Sequence, residues 1–357
     1  MASTFAPYAP QHVTTKGPGD SRPTALQIIE DEGLVGKLTD KVMLITGCSS
    51  GIGPETARAL HATGATLFLQ VRNLEKGEAV VKDILATSPG KGNIELLRID
   101  LDSLESVRAG AAEFLKKSDK LNVLVNNAGE RQTPFHPSTQ RLTPQPGVMH
   151  TPEGTTTDGF ETQWATNHLS HFVLTNLLLP TLIASSTPSF RSRVVSVSSM
   201  GHRYGPPNFS DVNFAHASYD PWQAYANSKT AIILFANAIE RRFGRRGVHA
   251  TSVYPGGIKT GLQGYVDEAT KKAWEAPEIN AIMKSAQQGA ATQTWAAVGR
   301  AWEGRGGKYL EDVALAEETK AGFDVFAHGY SRWAFDEGLE RECWDVSAEQ
   351  VGLKEGV

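Results

Sequence analysis

The sequence predicts a single α/β domain, a doubly wound parallel sheet of about seven strands with helices on both faces. Short, fully apolar runs recur along the chain and alternate with helix-length segments; strands buried on both faces need such runs, and the alternation implies parallel crossovers. A glycine-rich turn directly follows the first run, and further polar motifs sit at the C-terminal ends of later runs, where open α/β sheets hold their ligands. With 357 residues and 40% hydrophobic content the chain can bury a sizeable core.

Residues 1–36, rich in Pro, Thr, Ser and Gly, read as an N-terminal extension without the basic start and apolar run of a secretory signal. Within it, 24–35 forms a short helix with Leu26, Ile29 and Leu34 near one side, expected to pack on the domain. The domain itself is expected over 37–310, followed by a C-terminal extension, 311–357. Its first strand, 42–46, leads into Gly47-Cys48-Ser49-Ser50-Gly51-Ile52-Gly53. Pro54 suits the first turn of the helix that follows, 55–62. Glycines let the backbone approach a pyrophosphate, and the free N–H groups of the helix start hold the anion.

A second strand, 66–71, ends at Arg72-Asn73, 19 positions after Gly53. An acidic residue there would take both hydroxyls of an adenosine ribose; arginine instead offers a donor fork to a 2′-phosphate. A helix over 74–85 and a strand over 94–99 follow, ending in Asp100-Leu101, where the aspartate can accept from an adenine amine. Ser103 caps the next helix, and a strand at 122–125 ends in Asn126-Asn127-Ala128-Gly129.

The Pro- and Thr-rich stretch 130–159 interrupts this rhythm and reads as a lid or wall. Residues 160–186 form the next helix, with no Asp, Glu, Lys or Arg from 163 to 189. Asn167, His168, His171, Asn176 and Pro180 break its apolar continuity, so it reads as a buried or subunit-interface helix rather than a membrane span. A strand at 193–199, a helix at 220–243 and a strand at 249–254 follow, the last running into Pro255-Gly256-Gly257-Ile258-Lys259-Thr260. Residues 261–277 are lid-like, 281–299 helical and 308–310 a last strand.

The net charge of −4 and the lack of a basic run exclude a general attraction to nucleic acid or anionic membrane, leaving small molecules as partners. Cys48 and Cys343, far apart in sequence, form no metal-type cluster and fit a reducing, cytoplasmic compartment. The chemistry centres on Tyr225 and Lys229, four residues apart and so on one face of a helix. A free phenol has a pKa of about 10; a nearby ammonium favours phenolate, and a drop of about 3 units corresponds to roughly 4 kcal/mol.

Together, Thr46-Gly47-x-x-x-Gly51-Ile52-Gly53, Asn126-Asn127-Ala128-Gly129, Asn167, Ser199, Tyr225-x-x-x-Lys229 and Pro255-Gly256 resemble the short-chain dehydrogenase/reductase family, over about 37–310. Asn167-His168-Leu169-Ser170-His171-Phe172 and Val71-Arg72-Asn73-x-x-Lys76-Gly77 are most similar to its retinol-dehydrogenase-like branch. The resemblance implies a Rossmann-type fold in which Tyr225 transfers a proton. Lys229 would hold the nicotinamide ribose and depress the tyrosine pKa, and Ser199 would hydrogen-bond the substrate oxygen. Asn167 would hold a relay water, and Ile258 with Thr260 would anchor the carboxamide. Further cofactor contacts are expected from Gly47, Ser49, Ser50, Gly51, Ile52, Gly53, Arg72, Asp100, Leu101, Asn127, Ala128, Gly129, Pro255 and Gly256.

Ser199 stands 26 residues before Tyr225, about twice the spacing of compact family members, so Ser198 or Ser196 remains an alternative. Ser198 and Ser199 point to opposite faces of extended backbone, and only one can meet the substrate. The expectation is therefore an NADP(H)-dependent oxidoreductase, a homodimer or homotetramer without a metal, interconverting a carbonyl and an alcohol. Tyr204, Phe209, Phe214, Trp222, Tyr265 and Trp274 hint at an apolar or aromatic ligand. The alternative is a cofactor-binding regulatory protein that has lost turnover, against which the intact Asn-Ser-Tyr-Lys set argues.

Overall fold

The computed structural model describes residues 4–128, 151–258 and 275–353. Eight strands form one sheet in the order β3-β2-β1-β4-β5-β6-β7-β8. They are β1 (Val42–Ile45), β2 (Thr66–Val71), β3 (Ile94–Arg98), β4 (Val123–Asn126), β5 (Ser192–Val197), β6 (Val248–Tyr254), β7 (Lys308–Glu311) and β8 (Ala314–Leu315). All neighbours pair in parallel except the last, where β8 runs antiparallel to β7. This is the predicted doubly wound fold, one strand larger than expected. The extra strand is a two-residue hairpin turned by Asp312 and Val313, both at positive φ (54° and 55°), the geometry that matches the twist of paired strands.

Helices α1 (Ala9–His12) and α2 (Ala25–Asp31) precede the sheet; α3 (Ile52–Ala62), α4 (Leu74–Thr87) and α5 (Leu104–Lys117) link its first strands. After them come α6 (Thr162–Trp164), α7 (Ser170–Ser185), α8 (Pro221–Phe243), α9 (Pro277–Ile282), α10 (Ala286–Gly289), α11 (Ala291–Val298) and α12 (Glu337–Val351). Alternation along the strands divides the interior in two. Leu44, Phe68 and Leu124 face one layer with Phe114, Phe172 and Phe235, while Met43, Ile45, Leu67 and Leu69 face the other with Leu60, Trp295 and Trp302.

Two predicted helices are broken. The 160–186 helix contains a π turn, Ala165–Leu169, between α6 and α7. Its widened carbonyls are taken by side chains: Ser170 Oγ donates to Ala165 O at 2.9 Å, and His171 Nδ1 to Asn167 O at 2.9 Å. Thr162–Ser185 is long and apolar enough to cross a membrane, with a mean hydropathy of 1.2, yet Phe172, Leu174, Leu178 and Leu182 lie in the core. The 281–299 stretch is three short helices, because Met283 turns extended (ψ 150°) and Ser285 starts α10 with a capping box to Gln288.

Both extensions join the core. Ile28 and Ile29 of α2 are fully buried in the layer with Leu60 and Trp295, and Cys343 and Trp344 of α12 enter the opposite layer. The Trp344 ring lies 5.1 Å from that of Phe172, with the Arg242 guanidinium 4.1 Å above it. Trp344→Ala should therefore cost about 3–5 kcal/mol, the usual range for emptying a buried aromatic site. Denaturant unfolding measures this; a loss under about 1 kcal/mol would mean that α12 is not part of the core.

Candidate active site

The glycine turn is shaped by close backbone approach. Gly47 and Gly51 have φ of 73° and 70°, and a Cβ on Gly53 would lie 2.1 Å from Gly47 O. Gln70 Oε1 accepts from Gly47 N at 2.8 Å, while its Nε2 donates to Ile99 O. Thr46 Oγ1 accepts from both Asn127 N and Ala128 N at 2.9 Å. It donates to His171 Nε2, also at 2.9 Å. Burial pushes the His171 pKa down to about 4, so the ring is neutral, with its proton on the Nδ1 that faces Asn167 O. Asn127 donates to Thr46 O and accepts from Gln293 Nε2. Ser49 Oγ, at the mouth of α3, is buried without a protein partner. A glycine cradle at a helix start with a spare hydroxyl fits a dinucleotide phosphate.

Helix α8 carries the pair predicted for proton chemistry. Asp220 caps it, accepting from Trp222 N and Gln223 N, and Pro221 fills its first turn. Tyr225 and Lys229 sit one turn apart and are 3% and 6% exposed. Ser199 hydrogen-bonds the Tyr225 hydroxyl, and its Oγ also accepts from Gly201 N at 3.0 Å. His202 Nδ1 donates to Ser199 O at 2.6 Å, holding this turn. Ser198 Oγ is committed to Lys229 O at 2.8 Å, and Ser196 lies within β5. Of the three serines, Ser199 is the one the structure brings to the phenol.

Lys229 Nζ donates to Val197 O at 3.2 Å and lies 5.6 Å from the Tyr225 ring centre. Burial pushes the Tyr225 pKa up to about 12, partly offset by Ser199, and pushes Lys229 down to about 8. Burial thus favours the neutral phenol, opposite to the direction expected from a nearby ammonium. Asn167 is fully enclosed, its Nδ2 donating to Ser228 Oγ, which in turn donates to Tyr225 O.

These groups meet at one cavity of about 280 Å³. Ser50, Gly51, Ile52, Asn127 and Ala128 line one side; Ser199, Tyr225, Lys229, Pro255, Gly256 and Ile258 line the other. Gly47, Ser49, Gly53 and Asn167 are not among the residues that line it. Arg72, Asp100 and Leu101 stand apart, at the ends of β2 and β3. Leu101 is buried and gives its carbonyl to Ser170 Oγ. Arg72 lies near Asp102, whose carboxyl is raised to about 7 by burial and then by Asp100 and Asp158, with Arg72 opposing. Gly129 and Thr260 lie outside the described residues, as do Tyr265, Trp274 and most of the two predicted lids.

Of the aromatic residues singled out, Trp222 lines the cavity and Tyr204 stacks on it, ring centres 6.3 Å apart. Phe209 is core and Phe214 packs on Tyr219. Sequence reasoning missed Met200, Tyr254, Ile279, Met283, Phe323 and Val325, which complete an apolar lining. Phe323 and Val325 fall beyond the region of family resemblance, in a stretch without strand or helix periodicity. Among the described residues, Glu311, Asp312 and His328 bring ligand-type atoms within 4.8 Å of one another. Lys284 Nζ stands 2.5 Å from Asp312 Oδ1, and His328 Nδ1 3.0 Å from Glu311 Oε1, so these acids already have side-chain partners.

A glycine cradle facing a buried tyrosine–lysine pair across one cavity defines a nicotinamide-dependent oxidoreductase fold. Residues 41–271 match the family described as short chain dehydrogenase. Short-chain dehydrogenase/reductase prx1 of Penicillium roqueforti is 46% identical over 349 residues, covering 98% of this chain and 96% of that protein. Human retinol dehydrogenase 13 is 33% identical, covering 88% of this chain and 85% of its own. A crystal structure of a putative uncharacterized protein from Mycobacterium paratuberculosis superposes with a TM-score of 0.64 at 30% identity, over 91% of this chain and 98% of that one. The chain belongs to the short-chain dehydrogenase/reductase family, in its retinol-dehydrogenase-like branch.

Gly201 is the tightest support of Tyr225: a Cβ there would lie 2.6 Å from the phenol ring. Gly201→Ala should displace the ring and lower turnover about a hundredfold, as a misplacement near 1 Å can, with dinucleotide binding retained. Near-normal turnover by the purified variant would show that the ring position is not critical.

Proposed function

We propose that the chain is an NADP(H)-dependent oxidoreductase that interconverts a ketone or aldehyde and the corresponding alcohol, acting on an apolar or aromatic substrate. The observation that carries this reading is the Ser199–Tyr225–Lys229 cluster opening onto the same cavity as the glycine cradle. When bound, the nicotinamide supplies or accepts the hydride. In the reductive direction Tyr225, neutral at pH 7 because burial holds its pKa near 12, donates its proton to the carbonyl oxygen as negative charge develops there. Ser199 steadies that oxygen with a hydrogen bond, and Lys229, cationic below its lowered pKa of about 8, adds a positive field. The reverse reaction starts from the Tyr225 phenolate, which takes the proton from the alcohol, with Ser199 and Lys229 in the same roles. Trp222, Met283, Phe323 and Val325 favour an apolar or aromatic body beside the reacting carbon.

The preference for NADP(H) rests on Arg72. It follows β2, beside the expected adenosine ribose, and Gln70, Val71, Arg72 and Asn73 include no acid. Gln70 is turned inward onto the glycine turn and Asn73 caps α4 by accepting from Lys76 N, which leaves Arg72 as the residue suited to a 2′-phosphate.

Tyr225→Phe removes one oxygen and keeps the packing, so turnover should fall at least about a hundredfold while cofactor binding survives. A screen of ketones, aldehydes and alcohols with both cofactors identifies the substrate for this test, and wild-type-like turnover by the variant would refute the proton-transfer role. Arg72 should confer a preference for NADP(H) of about ten- to a hundredfold, the worth of one charge-assisted hydrogen bond. Arg72→Asp should weaken or reverse that preference; the ratio of specificity constants decides, and a ratio untouched by the substitution would sink the assignment.

A further inference from the structure

One wall of the cavity is held by the N-terminal extension. Ile279, Ile282 and Met283 line the cavity. They come from α9 and the residue after it, and none of the six residues of α9 is itself buried. A helix so short and so exposed has little hydrophobic anchorage of its own.

Among the described residues, the carbonyls at its end are anchored by residues 17–22, while the chain just beyond is fixed by Lys284, whose N donates to Gly257 O at 2.8 Å and whose Nζ pairs with Asp312. The Arg22 side chain, 3% exposed, donates through Nη1 to Ile282 O at 2.8 Å and through Nη2 to Met283 O at 2.6 Å. Nη2 also reaches Gly17 O at 3.2 Å, and Nε pairs with Asp20 Oδ1 at 2.8 Å. The carbonyls at the end of α9, which a helix terminus leaves without partners, are thus met by a planar donor fork. Gly17 N donates to Ala281 O at 2.9 Å. Gly19 N donates to Gln288 Oε1, and Gln288 Nε2 returns to Asp20 and Arg22 O. Burial would raise the Asp20 carboxyl, but Arg22 and the N–H groups of Lys16 and Arg22 draw it down to about 2, so the pair stays charged at neutral pH.

We propose that residues 17–22 form a strap for the substrate wall, and that Arg22 is a positioning residue: it fixes Ile282 and Met283 against the substrate without touching substrate or cofactor. The proposal rests on reading the cavity as a carbonyl or alcohol site. The opposite walls have separate supports, Thr46, Gln70 and Asn127 for the glycine turn and helix α8 for Tyr225 and Lys229. Release of the strap therefore loosens one wall only.

The test uses the full chain as wild type, Arg22→Met and Arg22→Lys. Lysine keeps the charge and the partnership with Asp20 but not the fork, and it carries the test where the methionine variant fails to fold. Hydrogen exchange is read over 277–285 and over 52–62; Kd is measured for the reduced cofactor, and KM and kcat for the best carbonyl substrate of the screen. The expected result is faster exchange over 277–285 alone and a rise in KM of about tenfold, with cofactor Kd and kcat within about threefold of wild type. An unchanged KM in an active enzyme overturns the strap, as does a parallel loss of cofactor affinity, which would mark Arg22 as a general support. A wild-type chain that turns over no carbonyl or alcohol with either cofactor would overturn the functional reading itself, and this proposal with it.

Discussion

The hydroxyl of Thr46 is the point on which the two halves of the site depend. It ends β1, accepts two consecutive backbone N–H groups from the end of β4, and donates to a neutral histidine that holds the π turn bearing Asn167. Each partner is buried, so each lost bond would leave a desolvated polar group at about 1–3 kcal/mol. The glycine turn, the Asn127-Ala128 corner and the Asn167-Ser228 link behind Tyr225 are thereby set in one frame. Threonine is suited to it because one hydroxyl can both donate and accept. Valine would match the shape and strand Ala128 N and His171 Nε2.

The pair at the centre of the site is buried, and its electrostatics follow from that. Tyr225 and Lys229 are both buried, and burial disfavours the charged form of each, raising one pKa and lowering the other. The two shifts bring the groups' neutral forms within easier reach of one another than in water. The proton is thereby held on the phenol until negative charge develops on the substrate oxygen to draw it away.

What was legible in the sequence was the part written in strong local signals. Apolar runs gave the seven parallel strands, glycine and proline marked the turn into α3, and the Tyr225–Lys229 spacing placed both groups on one face. Side-chain partnerships were not legible. The π turn depends on Ser170 and His171 capturing carbonyls, and the break at Met283 depends on a capping box that starts two residues on, at Ser285; neither leaves a periodic trace. The choice among Ser196, Ser198 and Ser199 needed the direction of each hydroxyl. Phe323 and Val325 reach the cavity from beyond β8, a distance in sequence that no local pattern spans. The extensions read as separate because their composition differs, yet Ile28, Ile29 and Trp344 complete the two core layers.

The short hairpin strand at the end of the sheet has a further consequence. An open strand edge is a template on which another chain can grow, and proteins guard such edges. Here β8 is only two residues long, and Leu315 N is already occupied by Phe5 O at 2.8 Å. The chain's own beginning therefore seals the edge made near its end. Lateral addition of a foreign strand there would first have to break the bond to Phe5.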